Sequence, residues 1–374
     1  MNNNRKFDQK RIFIWIMLIS LVTIIFVFYF FIYSKNKTIP KEKNIPIEQA
    51  VVIPVAPVVQ KEETLVKREE ELKAIPEPIP LPVGIDRFIV SLKDTNKIIA
   101  TNLSDNSYIT NLDSFVLLLS GKDGKGIINP GAYKISKEMS DSQLVQVLKG
   151  KAYMKWIKIP EGLRKEEIAK LLAVNLGWTT KQRDNWIKTI TTAKPDYVEG
   201  VYFPDTYLIP INETPELVAA RLISKFNEKF SPYLVEFTSK NIKWTTAITL
   251  ASIVQREAAN SADTPLIAGI LWNRLNQKMK LGVDATLQYI RGDKGNGWWA
   301  AISIADKKTD SPYNTYMYVG LPPHPISNPG IPAIEAVLNP TKTDCLYYLH
   351  DKNRVTHCSV TYEEHQANIV KYLK

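Results

Sequence analysis

The segment that most constrains how this chain folds is residues 12–33, an apolar run without a charged side chain. A helix of about 20 apolar residues spans a bilayer core, because all its backbone groups are hydrogen-bonded within the helix. The run is too long for the apolar region of a typical secretory signal, and no small-residue cleavage site follows it. We therefore predict an uncleaved, single-pass transmembrane helix.

The charges beside this run do not decide its orientation. Four basic residues precede it and four follow it closely, so the preference of basic residues for the inner side gives no answer. Only residues 1–11 lie before the run, whereas everything long enough to fold lies after it. We expect residues 1–11 to be a cytoplasmic tail, and the folded part to lie on the extracytoplasmic side of the inner or plasma membrane.

Residues 34–84 have the composition of a spacer. They are rich in proline and charge, and a Pro-Glu-Pro-Ile-Pro-Leu-Pro run starts at Pro76. Such a segment is extended and semi-rigid, so it holds the folded part away from the bilayer. The net charge of +10 is spread along 374 residues, which suits an anionic surface or polymer. We predict no nucleic-acid partner.

Two folded parts follow the spacer, and together they indicate an α+β protein. Residues 85–155 indicate a small α/β module, with strands at 88–90 and 98–100 and a helix capped by Ser140. Residues 156–374 indicate a mixed α+β catalytic domain. A strand is expected at 156–159, a hairpin at 346–357, and helices at 165–176, 215–230, 245–259, 265–279 and 362–373.

The cysteines and histidines do not form a metal-binding pattern. Cys345 and Cys358 flank the expected hairpin, and outside the cytoplasm they can pair across it. Two reduced cysteines in the core are the equal alternative. The four histidines lack ligand spacing, so we expect no metal and no cofactor.

Glu257 is the residue with the clearest chemical potential. It follows Leu250 by seven residues and Ile253 by four, so a helix places all three on one face. A carboxyl group on a buried apolar stripe loses hydration, which favours its protonated form and suits it to general acid catalysis. The simpler alternative is a glutamate at a helix end that pairs with a lysine or reaches water.

Loops elsewhere in the second part combine bent backbone with aromatic and amide side chains. Such loops suit a carbohydrate, because rings cover sugar faces and amides bond hydroxyl groups. Six short segments resemble the YceG-like endolytic murein transglycosylases. They are Glu-Gly-x-x-Phe-Pro-Asp-Thr-Tyr at 199–207, Ala-Ser-Ile-Val-x-Arg-Glu at 251–257, Asn-Arg-Leu at 273–275, Asp-x-Thr at 284–286, Tyr-Asn-Thr-Tyr at 313–316 and Gly-Leu-Pro-Pro at 320–323.

The resemblance implies a fold, a reaction and a set of site residues. The region around residues 131–133 is similar to the family's LysM-like module, and Glu257 matches its catalytic acid. The implied reaction cleaves the bond between N-acetylmuramic acid and N-acetylglucosamine and leaves a 1,6-anhydro end. The implied substrate-binding residues are Tyr202, Phe203, Asp205, Asn273, Arg274, Asp284, Gln288, Tyr313, Asn314, Tyr316 and Asn328.

Several of these residues have structural alternatives that the sequence leaves open. Asp205 can serve only as a turn residue, Asp284 as a loop cap, and Arg274 as a member of an ion pair. The aromatic members can be core side chains. Two neighbouring tryptophans, Trp298 and Trp299, can form a glycan platform, although a hydrophobic plug is the favoured interpretation.

Two departures from the family pattern bear on activity. The first acidic position of the catalytic helix is Gln255 here, and Ala285 replaces the usual proline after Asp284. If the acids were aligned the other way, the chain would be an inactive peptidoglycan-binding scaffold. A muramidase-type hydrolase is a further alternative, with Glu199, Asp205 or Asp284 as the second carboxylate. Peptidoglycan synthases of elongation or division are the protein partners that the resemblance implies.

Overall fold

The computed structural model describes residues 80–121 and 126–374. The predicted tail, the transmembrane segment at 12–33 and most of the spacer lie outside these residues. In the part that is described, no helix has both the length and the apolarity needed to cross a bilayer. The membrane anchor therefore stays a prediction.

The first folded region alternates strands and helices around its own small core. Strand β1 (Asp86–Val90) pairs antiparallel with β2 (Gly131–Ile135), and helices α1 (Asn96–Asp105) and α2 (Leu112–Ser120) connect them. Helix α3 (Asp141–Lys149) follows. The core of this region is formed by side chains that include Val90, Ile99, Leu103, Phe115, Tyr133 and Leu144.

The strand predicted at residues 98–100 is wrong, because these residues belong to α1. Thr95 caps the helix by accepting a hydrogen bond from the amide of Ile98, 3.3 Å away. Ile99 and Leu103 are buried four residues apart, which is the spacing of one helix face. The capping box predicted at Ser140 is confirmed, with Gln143 as its second member.

One antiparallel sheet runs through both predicted parts. Its order is β1-β2-β3-β4, with β3 at Met154–Lys158 and β4 at Thr206–Pro210. The β3–β4 register runs from Met154 opposite Pro210 to Lys158 opposite Thr206, whereas a single pair, Ala132 and Met154, joins β2 to β3. The predicted boundary between residues 155 and 156 therefore falls inside a strand.

Helices build the larger core. Every residue from Ala247 to Val254, in the middle of helix α7 (Trp244–Glu257), is buried, so this helix lies inside the domain. Burial of its apolar side chains is the main stabilising contribution. The helices of this region are α4 (Lys165–Leu176), α5 (Thr180–Lys188), α6 (Pro215–Ser239), α7 (Trp244–Glu257), α8 (Thr264–Asn276), α9 (Asp284–Arg291), α10 (Ile331–Leu338) and α11 (Tyr362–Tyr372).

Helix α6 is longer than the sequence predicted, because it continues through Pro232 to Ser239. An interior proline removes a backbone hydrogen bond and typically costs about 3 kcal/mol. Phe230 and Phe237 are both fully buried and stack 5.8 Å apart, one on each side of the proline. Their burial offsets the lost hydrogen bond and keeps the last turns helical.

The predicted hairpin is confirmed as β5 (Tyr347–His350) paired with β6 (Thr356–Ser359). Cys345 and Cys358 form a disulfide, which decides between the two alternatives for these cysteines. Helix α11 packs on the hairpin. Both strands are short, so the covalent link at their open end restricts the hairpin's freedom.

Candidate active site

Glu257 is the last residue of α7 and lies half-buried at the end of the domain's central helix. Leu250 and Ile253, which the sequence placed on the same stripe, are fully buried. Burial is the largest cause that raises the pKa of Glu257 above its usual value of 4.5. The partial negative charge at a helix C-terminus acts in the same direction.

A tyrosine from the hairpin contacts this carboxyl group. The hydroxyl of Tyr348 donates a hydrogen bond to Oε2 of Glu257 over 2.7 Å. This bond opposes the effect of burial on the pKa of Glu257, because a donor stabilises the carboxylate form. Burial and the nearby Glu257 raise the pKa of Tyr348 well above 10, so the phenol keeps its proton.

A second carboxylate acts on Glu257 from the first turn of α9. Asp284 is exposed there, and its negative charge raises the pKa of Glu257 further. The hydroxyl of Tyr316 donates a hydrogen bond to Oδ1 of Asp284. The site thus holds two tyrosine–carboxylate pairs, one half-buried and one at the surface.

Two family segments meet through a pair of threonines beneath this surface. Thr315 accepts a hydrogen bond from the amide of Val283 over 3.0 Å, and its Oγ1 lies 3.0 Å from Oγ1 of Thr286. Both threonines are buried. The contact fixes the start of α9 against the Tyr-Asn-Thr-Tyr loop, and so places Asp284 opposite Tyr316.

Asn273 and Arg274 hold the chain that leads into the hairpin. The amide of Asn273 donates to the carbonyl oxygens of Thr343 and Cys345, over 2.7 and 3.1 Å. The guanidinium of Arg274 donates to the carbonyl oxygens of Leu346 and Leu281. Their hydrogen bonds in the described structure are therefore to backbone oxygens. Sugar binding by these two residues stays a prediction.

Glu199 is fully buried, and its carboxyl group lies next to Lys165, the first residue of α4. Its carboxyl group accepts hydrogen bonds from the amide of Lys165 and from Nδ2 of Asn328, the latter over 2.6 Å. Asn328 also accepts a hydrogen bond from the amide of Tyr202, 2.8 Å away. Burial is the largest cause that raises the pKa of Glu199 to about 8. The group is enclosed by the fold, so it does not suit the second carboxylate of a hydrolase.

The Phe-Pro-Asp-Thr-Tyr segment packs into the core and not onto an open surface. Tyr202 and Phe203 are buried, and the hydroxyl of Tyr202 donates to the carbonyl oxygen of Tyr197. Asp205 accepts a hydrogen bond from the amide of Thr206 over 2.7 Å, as a turn residue does. Gly200 has a φ of +86°, and a Cβ there would lie 2.7 Å from both Ile248 and Pro325.

Gln255, the first departure from the family pattern, has a structural partner. Its Oε1 accepts a hydrogen bond from the amide of Gly330 over 3.0 Å, at the N-terminus of α10. An amide oxygen serves as acceptor here as a carboxylate would. The contact with Gly330 therefore does not require an acid at position 255.

The remaining predicted residues lie in α9 and in the loop that follows it. Gln288 donates to the carbonyl oxygens of Trp299 and Ala300, and the ring of Tyr313 packs 5.2 Å from that of Tyr289. Asn314 is fully buried and donates to the carbonyl oxygens of Lys307 and Thr309. These contacts hold the loops in place, and ligand binding by these residues stays a prediction.

The two tryptophans are engaged by charged side chains. The indole nitrogen of Trp299 donates to Glu167 over 3.0 Å, and the guanidinium of Arg256 lies 3.8 Å from its ring centroid. Arg164 lies 4.4 Å from the ring of Trp298. Charged side chains thus contact both rings, and the choice between a plug and a glycan platform stays a prediction.

Tyr348 is the site residue that sequence reasoning missed. It lies 91 positions from Glu257 in a four-residue strand, and no motif marks it. The alternation of strand side chains, which places Tyr348 and His350 on one face, was the only available signal. That signal does not identify what the face contacts.

Comparisons with known proteins agree with this architecture. A model of the YceG-like family matches residues 88–371. A solved structure of a YceG-like protein from Listeria monocytogenes has 27% identity and a TM-score of 0.54, and the match covers 76% of this chain and 99% of that one.

Two curated relatives are named endolytic murein transglycosylase. The protein from Bacillus subtilis is 30% identical over 299 residues, which cover 74% of this chain and 81% of the relative. The protein from Streptococcus pneumoniae is 31% identical over 283 residues, 66% of this chain. That match spans 51%, about half, of the pneumococcal protein's length. Since the family model covers well over half of the sequence, the chain belongs to the YceG-like family.

Proposed function

We propose that the chain is an endolytic lytic transglycosylase that cleaves peptidoglycan glycan strands, with Glu257 as its single catalytic acid. The observation that carries the proposal is the half-buried carboxyl group of Glu257, which Tyr348 contacts and whose pKa burial raises. The names of the relatives from Bacillus subtilis and Streptococcus pneumoniae support the same activity.

The reaction needs one proton to travel through one carboxyl group. Protonated Glu257 gives its proton to the glycosidic oxygen, and the bond from that oxygen to C1 of N-acetylmuramic acid breaks. The carboxylate then takes the proton of the C6 hydroxyl of the same sugar, whose oxygen attacks C1. The products are a 1,6-anhydro end and a free hydroxyl on the next sugar, and no water is consumed.

The intramolecular nucleophile explains why one acid suffices. A hydrolase needs a second carboxylate to activate water or to attack the sugar. Of the three candidates, Glu199 is enclosed and Asp205 holds a turn, whereas Asp284 acts electrostatically on Glu257. Asp284 supports protonation of Glu257, and its exposed position also suits stabilisation of positive charge on the sugar.

The inactive scaffold is less well supported than the enzyme. The reason for considering the scaffold was the glutamine at position 255. Gln255 accepts a hydrogen bond from the amide of Gly330, which an amide oxygen can do as well as a carboxylate. The acid position with the perturbed environment is Glu257, which is retained in this chain. A binding role alone gives no reason for a half-buried carboxyl group at this place.

The cellular setting is part of the proposal. Residues 12–33 anchor the chain in the inner or plasma membrane, and the catalytic part lies outside the cytoplasm near growing strands. The disulfide between Cys345 and Cys358 favours an oxidising compartment. The β1-α1-α2-β2 unit serves as a LysM-like module, and peptidoglycan synthases are protein partners.

Mass spectrometry of digested strands tests the proposal. The full chain in detergent is incubated with peptidoglycan in water enriched in oxygen-18. We expect new anhydro ends without heavy oxygen, because the nucleophile belongs to the sugar. New reducing ends that carry oxygen-18 would identify a hydrolase, and intact strands would favour the scaffold.

Replacement of Asp284 by asparagine is expected to shift the pH dependence of cleavage. Asp284 raises the pKa of Glu257, so the variant's Glu257 loses its proton at lower pH. A general acid works only while it is protonated. The falling limb of the pH–rate profile, where the cleavage rate drops with rising pH, therefore moves to lower pH. Initial cleavage rates across the pH range check this, with Asp310→Asn as a matched aspartate control on a neighbouring loop. If the cleavage rate of Asp284→Asn falls at the same pH as that of the wild type, the expectation is contradicted.

A further inference from the structure

The hydrogen bond from Tyr348 distinguishes the two oxygens of Glu257. The phenol donates to Oε2, and it keeps its own proton because burial disfavours the phenolate. An oxygen that accepts this bond is a poor place for the acid's own proton. The phenol therefore disfavours protonation of Oε2, the oxygen that it contacts. The amide of Ala285 also donates to this carboxyl group and, like a protonated His350, favours its carboxylate form.

The position of Tyr348 is fixed by several independent contacts. It lies directly opposite Cys358 in the hairpin register, and Cys358 is bonded to Cys345 at the start of the same hairpin. Asn273 holds the carbonyl oxygen of Cys345, and Arg274 holds that of Leu346. A second side chain of the strand, His350, lies 3.0 Å from Asp263. The hydroxyl is thus presented from a rigid support.

The hydrogen bond from Tyr348 to Glu257 has its largest effect after Glu257 has given up its proton. A neutral carboxyl group gains little from a donor on Oε2, whereas a carboxylate gains a charge-assisted hydrogen bond. The donor therefore stabilises the form of Glu257 that appears as the glycosidic bond breaks. It does so without reorganisation, because Tyr348 is in place beforehand.

We propose that Tyr348 is a positioning residue, which disfavours protonation of Oε2 of Glu257 and stabilises the carboxylate that proton transfer leaves behind. This inference rests on the proposed function. It also accounts for the Asn-Arg-Leu segment, whose two polar side chains hold the backbone that leads to Tyr348. The disulfide and this segment then serve the same purpose at the same end of the strand.

The test compares Tyr348→Phe with Tyr347→Phe in the full chain. Tyr347 is the adjacent residue, and phenylalanine keeps the ring that packs 5.5 Å from His365. In Tyr348→Phe we expect the cleavage rate to fall by roughly 10–100-fold at pH values below the falling limb of the pH–rate profile. That is the loss typical of a hydrogen bond to a charged group. The falling limb should move to higher pH, because the carboxylate has lost a donor. Tyr347→Phe should keep the wild-type limb.

A shift in the limb separates positioning from general structural damage. A merely structural role for Tyr348 would lower the rate and leave the limb in place, and that result would overturn the inference. Incorporation of a fluorotyrosine at position 348 keeps ring and hydroxyl while making the phenol a stronger donor. We expect the limb to move to lower pH in that protein, and no movement would also count against the role.

A titration that does not depend on activity keeps the two proposals apart. Carbon-13 NMR of labelled glutamate carboxyl groups gives the pKa of Glu257 in the wild type and in Tyr348→Phe. A higher pKa in the variant supports the inference even if strands are not cleaved. If the wild type cleaves strands and the pKa values agree, the inference fails while the proposed function stands.

Discussion

Glu257→Gln is expected to reduce strand cleavage by about 10²–10⁴-fold, the usual contribution of a general acid. Glutamine has nearly the same shape and still accepts the hydrogen bond from Tyr348, but it has no proton to give at neutral pH. The glycosidic oxygen then leaves without protonation. Muropeptide release from peptidoglycan measures the rate, and sedimentation with insoluble peptidoglycan measures binding, which we expect to persist.

Two further variants make this result specific. Glu236→Gln alters an exposed glutamate that pairs with Lys240, and such surface pairs contribute little, so its rate should match the wild type. The double variant Gln255→Glu with Glu257→Gln has an acid at the first acidic position of the family pattern, residue 255, and none at the second. We expect it to remain inactive. Cleavage by that double variant would show that position 255 can supply the proton, against the assignment.

Glu199→Gln is expected to remove a strong pH dependence of folding stability. The native carboxyl group has a pKa raised from its usual 4.5 to about 8, so between these values the folded chain holds a proton that the unfolded chain has lost. Stability therefore falls as pH rises through this window, by about 1.4 kcal/mol per pH unit. The full effect is on the order of 5 kcal/mol above pH 8.

Glutamine mimics the protonated form of Glu199. Its oxygen can still accept from Lys165 and from Asn328, so between pH 5 and 8 the stability of the variant should fall less steeply than that of the wild type, by the share that Glu199 contributes. Above pH 8 it should be more stable than the wild type. Denaturant unfolding at several pH values measures both curves, with Glu236→Gln as the control. Parallel curves for wild type and Glu199→Gln would contradict a protonated, enclosed Glu199.

This buried network gives a structural role to the first family segment and to the loop that follows the last one. Asn328 forms hydrogen bonds with the side chain of Glu199 and with the amide of Tyr202. These bonds hold the turn at Glu199 and Gly200 against the loop at residues 320–330. Ser252 on α7 holds the same loop by accepting from the amide of Ile326 over 3.0 Å. Several conspicuous polar residues of the sequence thus support the loops around Glu257 from beneath.

Local sequence signals predicted the elements whose causes are local. The capping box at Ser140 and the stripe of Leu250, Ile253 and Glu257 are examples, because spacing along one helix determines both. The strand predicted at residues 98–100 failed because a short apolar run suits a strand as well as a helix. The local signal that favours the helix is its N-cap, Thr95.

The site's partners could not be predicted, because they depend on distant pairings. Tyr348 reaches Glu257 across 91 positions, and Thr286 reaches Thr315 across 29. The resemblance identified Glu257 and the loop segments, but it did not distinguish side chains that face the site from those that bond backbone. Asn314 is an example of the second kind, because its side-chain NH2 group donates to two backbone carbonyl oxygens.

The most direct test of the account is the pKa of the Glu257 carboxyl group in the wild-type chain, measured by carbon-13 NMR and assigned by its absence in Glu257→Gln. The account predicts a pKa above the usual 4.5, since burial and the charge of Asp284 outweigh the hydrogen bonds from Tyr348 and the amide of Ala285 and the effect of His350. A pKa at or below 4.5 would mean an ordinary solvated carboxylate, and Glu257 would not be the proton donor.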